Sequence, residues 1–268
     1  MSSWLRLSRD FCGLGSRSRA TGVDRSRARR VGRAQRDDFT TNLNALHRID
    51  VRHRSSTFAV MPFEPRWVHW ARGLQSIAQS GLHFSESEYD RERYQKILKI
   101  AVEIFSEYSG ESPSLISRLF ENQTGCATPK VDVRGVVFLD GKLLLVQERT
   151  DGLWTLPGGW ADVEDSPSAA VEREILEESG FHTKAERMLA VFDRAKHAHE
   201  PPFPFHVYKL FMLCRLQAGE AKPTLETSAV GFFSENEIPP LSVSRVTLEQ
   251  IHFCFEAQEN LAALCRFD

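Results

Sequence analysis

Between Gly158 and Phe181 the chain carries a stretch that admits few backbone conformations. Gly158-Gly159 marks a turn where another group can approach the backbone closely, because glycine has no Cβ. Ser166-Pro167 then opens a helix, with serine as N-terminal cap and proline at the first helical position, where no N–H is needed. The helix is expected to run through Glu178 and to stop at Gly180 in a left-handed C-terminal cap. At 3.6 residues per turn, Glu177 lies about 60° from Glu174 in one sense and Glu178 about 40° in the other. Three carboxylates therefore share one face within about a turn. Glu174 and Glu178 repel each other, and no lysine on that face offsets them. Val171 and Ile175 form an adjacent apolar seam fit to anchor the helix to a sheet. Acids beside a packed face suit a hard divalent cation such as Mg²⁺, which takes oxygen ligands and keeps waters for substrate phosphates.

The surrounding chain supplies that sheet. Val131–Leu139 and Lys142–Gln147 read as strands, and Asp140-Gly141 between them is a strong hairpin signal, since both turn positions need positive φ. Further strands are expected near 185–194, 206–216 and 228–233, and a last helix over 245–258. Helices scattered among mostly hairpin-connected strands indicate an α/β sandwich rather than a doubly wound parallel sheet. Composition agrees: 41% of 268 residues are hydrophobic and 26% charged, which supports a core and excludes collagen-like, low-complexity and wholly disordered chains.

The acidic helix and its glycines resemble the Nudix hydrolases, whose box reads G-x5-E-x7-R-E-U-x-E-E-x-G-U, with U an aliphatic or bulky apolar residue. Gly159 is the first glycine, and Arg173-Glu174-Ile175-Leu176-Glu177-Glu178-Ser179-Gly180-Phe181 is the core. One position differs: Asp165 stands where the family has its first glutamate, an acid that commonly pairs with the box arginine, here Arg173. The resemblance implies a Nudix α/β/α sandwich with a mixed sheet. It implies attack of water on the pyrophosphate linkage of a nucleoside diphosphate joined to a group X. Glu174, Glu177 and Glu178 are then the catalytic and metal-holding acids, for Mg²⁺ with Mn²⁺ as substitute. Gly159, Asp165, Arg173 and Gly180 shape and orient the box. The box leaves the general base open between the Glu177/Glu178 pair and a loop residue.

Residues 64–124 read as a small helical module ahead of a 129–268 catalytic region. Trp67, Trp70, Leu74 and Ile77 fall on one face of a first helix, with Gly81 as its stop. A second helix, capped by Ser85 or Ser87, carries Tyr94, Ile97, Leu98, Ala101, Ile104 and Phe105, and Pro113 opens a third. Packing or dimerisation is the expected role, so a homodimer is expected. Trp67-Val68-His69-Trp70, Tyr89–Tyr94 and Phe192-Asp193-Arg194-Ala195-Lys196-His197-Ala198-His199 resemble a bacterial Nudix subfamily with such a module, described as ADP-ribose or CDP-choline pyrophosphatases. Pro201 and Pro202 lie farther past the box than the ADP-ribose class usually places its proline. Candidate substrate contacts are Arg149, as a bidentate phosphate donor, His197 and His199, and Trp160, which can stack on a base. Each also has a plain structural role: a solvated strand end, a polar loop, or core packing.

Charge is split along the chain. Residues 1–60 hold 13 arginines, five aspartates and no lysine or glutamate, a net of +8 against −10 for the rest. This leader reads as disordered, and is either a transit peptide or coding sequence ahead of a true start at Met61. No apolar run reaches the roughly 18 residues of a membrane helix. The five cysteines (Cys12, Cys126, Cys214, Cys254 and Cys265) form no CxxC pair and no zinc spacing, so a reducing compartment, the cytoplasm, is expected unless the leader targets an organelle. Cys214 and Cys254 read as buried hydrophobes. An acidic body argues against a nucleic-acid partner. Two alternatives stand beside the hydrolase: a nucleotide-sugar-binding module that does not cleave, and an RNA-processing enzyme using the arginine-rich leader.

Overall fold

The computed structural model describes residues 64–260 and 263–268; the leader expectation lies outside them. Three helices come first: α1 (Arg66–Phe84), α2 (Glu88–Ser109) and α3 (Pro113–Glu121). Ser87 and Ser112 cap α2 and α3, accepting from Asp90 N and Leu115 N. The buried face of α1 is Val68, Ala71, Gln75 and Ala78, one position over from the expected stripe, and Trp70 and Ile77 remain 57% and 55% exposed. Small residues face α2 and let the helices approach. Gly81 does not stop α1: it lies within the helix, where a Cβ would overlap the Tyr94 ring.

Mixed α/β structure follows: β1 (Lys130–Val136), β2 (Phe138–Leu139), β3 (Lys142–Glu148), β4 (Trp154–Thr155), α4 (Pro167–Ser179), β5 (Phe181–Asp193), β6 (Val207–Gly219), β7 (Thr227–Phe233), α5 (Leu248–Glu259) and β8 (Arg266–Phe267). One sheet has the order β1-β6-β5-β8, with β1 parallel to β6 and β5 antiparallel to it. In the second, β3 pairs with β2 and β4 and also with β7. Asp140 and Gly141 take φ of 51° and 73°, the positive values the hairpin turn requires.

Two apolar clusters bind helices to the sheets. Ala170, Val171 and Ile175 of α4 pack with Val133, Leu144, Met212 and Cys214. Ile251, Cys254 and Phe255 of α5 pack with Val136, Leu143, Leu145 and Phe211. The expected α/β sandwich preceded by a helical region is therefore the observed fold. Cys214 and Cys254 are buried, and burial pushes both thiols up, away from reactivity. The helical module touches the sheet layer through Phe120, whose ring meets Phe205 edge-on at 5.9 Å. Arg72 Nη2 also donates to Phe203 O at 2.6 Å.

Candidate active site

The glycine turn is stitched to β1: Gly135 N donates to Pro157 O and Val133 N to Gly159 O, both at 2.8 Å. Gly158 has φ of 143°, and a Cβ there would overlap Val133 O. Only glycine fits this approach. The turn presents the Gly158 N–H to Glu178 Oε2 at 2.8 Å. A Cβ on Gly159 would stand 3.0 Å from Glu174 Oε2, so the missing side chain leaves room at that carboxylate.

Helix α4 begins where Ser166 accepts from Ala169 N at 3.2 Å and ends at Gly180, φ 81°. The Val171/Ile175 seam sets its rotation, and Ile175 fills the space over Gly135. That rotation divides the three acids. Glu174 and Glu178 are buried, whereas the Glu177 side chain is 52% exposed. Arg173 lies across them: Nη1 reaches Glu174 Oε1 at 2.7 Å and Glu177 Oε2 at 3.1 Å, and Nε reaches Asp165 Oδ2 at 3.1 Å. The shorter aspartate thus meets the box arginine, with Asp162 also 3.5 Å from Nη2.

A fourth acid comes from outside the box. Glu148, at the end of β3, is buried and held by Arg245 Nε at 3.0 Å. Burial pushes the Glu178 carboxyl well above the usual carboxylate range, and the charges of Glu148 and Glu174 add to this. Burial likewise raises Glu148, against the pull of Arg245 and Arg134. Sequence inspection misses Glu148 because one acid at a strand end reads as surface. The available signal is its parity with Leu144 and Val146, which are buried.

Behind this group lies a second buried set. Asp132 accepts from Arg134 at 2.7 and 2.8 Å and is 3.0 Å from Lys209 Nζ. Arg134 also donates to Leu156 O at 3.1 Å.

The remaining predicted residues scatter. Arg149 is exposed and its Nε donates to Thr224 O at 3.1 Å. His197 Nε2 is 3.1 Å from Asp268 Oδ2, with its ring on Phe192. His199 Nδ1 is 2.8 Å from Val243 O, and burial, with Arg194 and Lys209 nearby, holds its pKa well below the ordinary histidine value. Trp160 is half-buried, its backbone bridged to Asp132 and its ring 6.1 Å from that of Phe203.

A buried acid pair facing a glycine turn from a doubly capped helix is matched by likeness to known proteins. Residues 129–252 match the profile of the NUDIX domain. Residues 65–120 match that of a UDP-X-like, N-terminal oligomerisation domain. The Bacillus subtilis (strain 168) protein YjhB, whose name assigns it provisionally to the ADP-ribose pyrophosphatases, is 42% identical over 193 residues, 72% of this chain and 92% of its own.

The chain belongs to the Nudix hydrolase family.

Two other Nudix relatives agree. The ADP-ribose pyrophosphatase of Methanocaldococcus jannaschii is 30% identical over 120 residues, 42% of this chain and 67% of its own. A crystal structure titled UDP-X diphosphatase is 30% identical, with a TM-score of 0.50 over 76% of this chain and 98% of that one. The enzyme class is that of the Nudix-type pyrophosphatases, hydrolases of acid anhydrides in phosphorus compounds. Nudix hydrolases use divalent metal ions. The donor chemistry suits one: Glu148, Glu174 and Glu178 are buried hard-oxygen acids, and the charges of Glu148 and Glu174 press on Glu178. With Arg173 Nη1 between Glu174 and Glu177, no three His, Cys, Asp or Glu side chains among the described residues are gathered around a single metal position.

Proposed function

We propose that the protein is a Mg²⁺-dependent hydrolase that splits nucleoside diphosphates linked to a sugar or similar group X, of the ADP-ribose, CDP-choline or UDP-sugar type. The observation that carries this is the Glu174/Glu178 pair, buried against Gly158-Gly159 with Glu148 beside it. Water adds across one P–O–P bond, giving a nucleoside monophosphate and X phosphate. A bound Mg²⁺ supplies charge neutralisation at the phosphoryl oxygens and makes water more acidic.

The chain's own groups do the rest. Glu174 and Glu178, with Glu148, would hold the cation, for which Mn²⁺ could substitute. Glu177, half in solvent, is placed to exchange a proton with water. Arg173, through Asp165, would keep the loop from Gly159 to Ser166 tied to α4. The Gly158 N–H orients Glu178. Trp160 offers an aromatic face to the substrate.

The names of the relatives support the substrate class: ADP-ribose for YjhB and the M. jannaschii enzyme, UDP-X for the structural neighbour. Retention of Glu174, Glu177 and Glu178 favours turnover over binding alone. Residues 64–124 serve as a homodimerisation module, for which the likeness to an oligomerisation domain and the exposed Trp70, Ile77 and Tyr108 are the support. Residues 129–268 form the catalytic domain. No helix among the described residues is long and apolar enough to cross a membrane. A cytoplasmic location suits the free Cys126, Cys214, Cys254 and Cys265.

The test is a panel of ADP-ribose, CDP-choline, a UDP-sugar, NADH and diadenosine polyphosphate with the full chain and Mg²⁺. Release of nucleoside monophosphate from at least one is expected. Ligand-induced thermal stabilisation with no product from any would refute hydrolysis and leave a binding module.

A further inference from the structure

Arg194 sits in the short 3-10 turn after β5 and is buried. Among the described residues no carboxylate lies within ion-pairing distance of it. Its Nη2 donates to Pro201 O at 2.9 Å, and its guanidinium lies 5.3 Å from the centre of the Phe203 ring. The acid whose charge acts on it most, Glu64, is already held by both terminal nitrogens of Arg72 at 2.9 Å. Lys209 is buried near the start of β6, and its one ion pair among the described residues is with Asp132, which Arg134 already grips with two nitrogens. Two buried cations, Arg134 and Lys209, therefore share Asp132, and Arg194 beside them has no carboxylate of its own among the described residues.

Buried charge is costly unless paired and hydrogen-bonded. The strain is visible in both groups. Burial chiefly, and then the neighbouring cations, push Lys209 down to about 7 and Arg194 down to about 10. His199 adds an orphan acceptor. A carbonyl only accepts, so His199 Nδ1 carries the proton that meets Val243 O. Its Nε2 is then a bare lone pair, buried and without a partner. Arg194 and Lys209 are near enough to hold this ring neutral.

The group adjoins the reaction centre. Asp132 is bridged to Trp160, which directly follows Gly158-Gly159, and the Trp160 ring faces the Phe203 that covers Arg194. We propose that Arg194, Lys209 and His199 form a subsite for a phosphate ester on a hydroxylated sugar, the two cations taking the phosphate and His199 Nε2 a sugar hydroxyl. Arg194 lacks an anion, Lys209 has only the carboxylate it shares with Arg134, and the imidazole lacks a donor; a sugar phosphate carries both an anion and a donor. The ligand's identity as part of the substrate rests on the pyrophosphatase proposal; the subsite itself rests on the unpaired Arg194, the shared Asp132 and the orphan His199 Nε2. Pro201 O and the Phe203 ring meet Arg194 directly, so a phosphate reaching Arg194 takes the place of these contacts. Arg72 of α1, donating to Phe203 O, ties that residue to the helical module.

The experiment is calorimetric titration and thermal unfolding of the full chain in EDTA, with ribose 5-phosphate and inorganic phosphate as probes. Both should bind the wild type and raise its melting temperature. Arg194→Gln and Lys209→Met should each weaken both probes about tenfold or more, the loss of one charge-assisted hydrogen bond. Without a probe, each variant should melt no lower than wild type, because an uncompensated cation has gone. His199→Phe should weaken ribose 5-phosphate and leave inorganic phosphate unchanged. Unaltered affinity in both cation variants, or lower melting temperatures with unaltered affinity, would mean a purely structural cluster and overturn the proposal. Should Arg194→Gln not fold, Lys209→Met decides alone. Magnesium-dependent turnover with unchanged KM in these variants removes the subsite only. Lost sugar-phosphate binding in variants of a wild type that hydrolyses nothing removes the pyrophosphatase proposal only.

Discussion

At the residue scale the site is defined by what burial does to like charges. Glu178 and Glu148 are interior acids that burial raises, Glu178 further by the charges of Glu148 and Glu174, and a bound cation would convert that repulsion into binding. Glu178→Gln should therefore lose turnover by roughly 10²-fold or more. It should melt no lower than wild type in EDTA, because a repelled carboxylate is removed while the amide oxygen still accepts from Gly158 N. Differential scanning calorimetry beside the product assay checks both halves; a large fall in melting temperature would mean that Glu178 serves the fold instead. Glu148→Gln should weaken Mn²⁺ binding by about 10–100-fold, read by electron paramagnetic resonance of free Mn²⁺. Wild-type Mn²⁺ affinity would make Glu148 only the partner of Arg245. The box residues were legible because their chemistry is local: Ser166, Pro167, Arg173 and Gly180 each act within a turn or two. Glu148, Arg194 and Lys209 were not, because nothing in the sequence says which strands bring them beside α4 and β1. Arg149 drew attention as a cation at a strand end, yet it turns to Thr224 O on the surface.

At the element scale α4 is a clamp. Its caps fix its length, Val171 and Ile175 fix its rotation, and that rotation decides which acids are buried. Ile175→Ala removes a buried side chain and should cost about 2–5 kcal/mol by urea unfolding. A loss below about 1 kcal/mol would mean that the seam does not set the helix. Periodicity located α1 yet misjudged its inward face. The large apolar residues mark one face of the helix, but the buried face lies one position over, at Val68, Ala71, Gln75 and Ala78, while Trp70 and Ile77 stay exposed. The hydrophobic pattern reports apolar surface, not whether it meets this chain or another one. The short β8 went unread, since two residues pairing with β5 leave no periodic trace.

At the scale of the whole molecule, the exposed apolar face of α1 and the catalytic layer share one purpose if the protein is a dimer. Trp70→Glu with Ile77→Glu should shift the sedimentation coefficient to that of a monomer while circular dichroism stays unchanged. A dimer that survives both charges would place the interface elsewhere. The near-neutral net charge of −2 joins an arginine-rich leader to an acidic body, and only part of that acidity belongs to the site. The central claim is tested most directly by ³¹P NMR of the full chain with Mg²⁺ and, in turn, ADP-ribose, CDP-choline and a UDP-sugar, wild type beside Glu178→Gln. The account predicts equimolar nucleoside monophosphate and X phosphate from at least one substrate, dependent on Mg²⁺ and lost in the variant. Equal product from both proteins, or none from the wild type with any of the three, would contradict it.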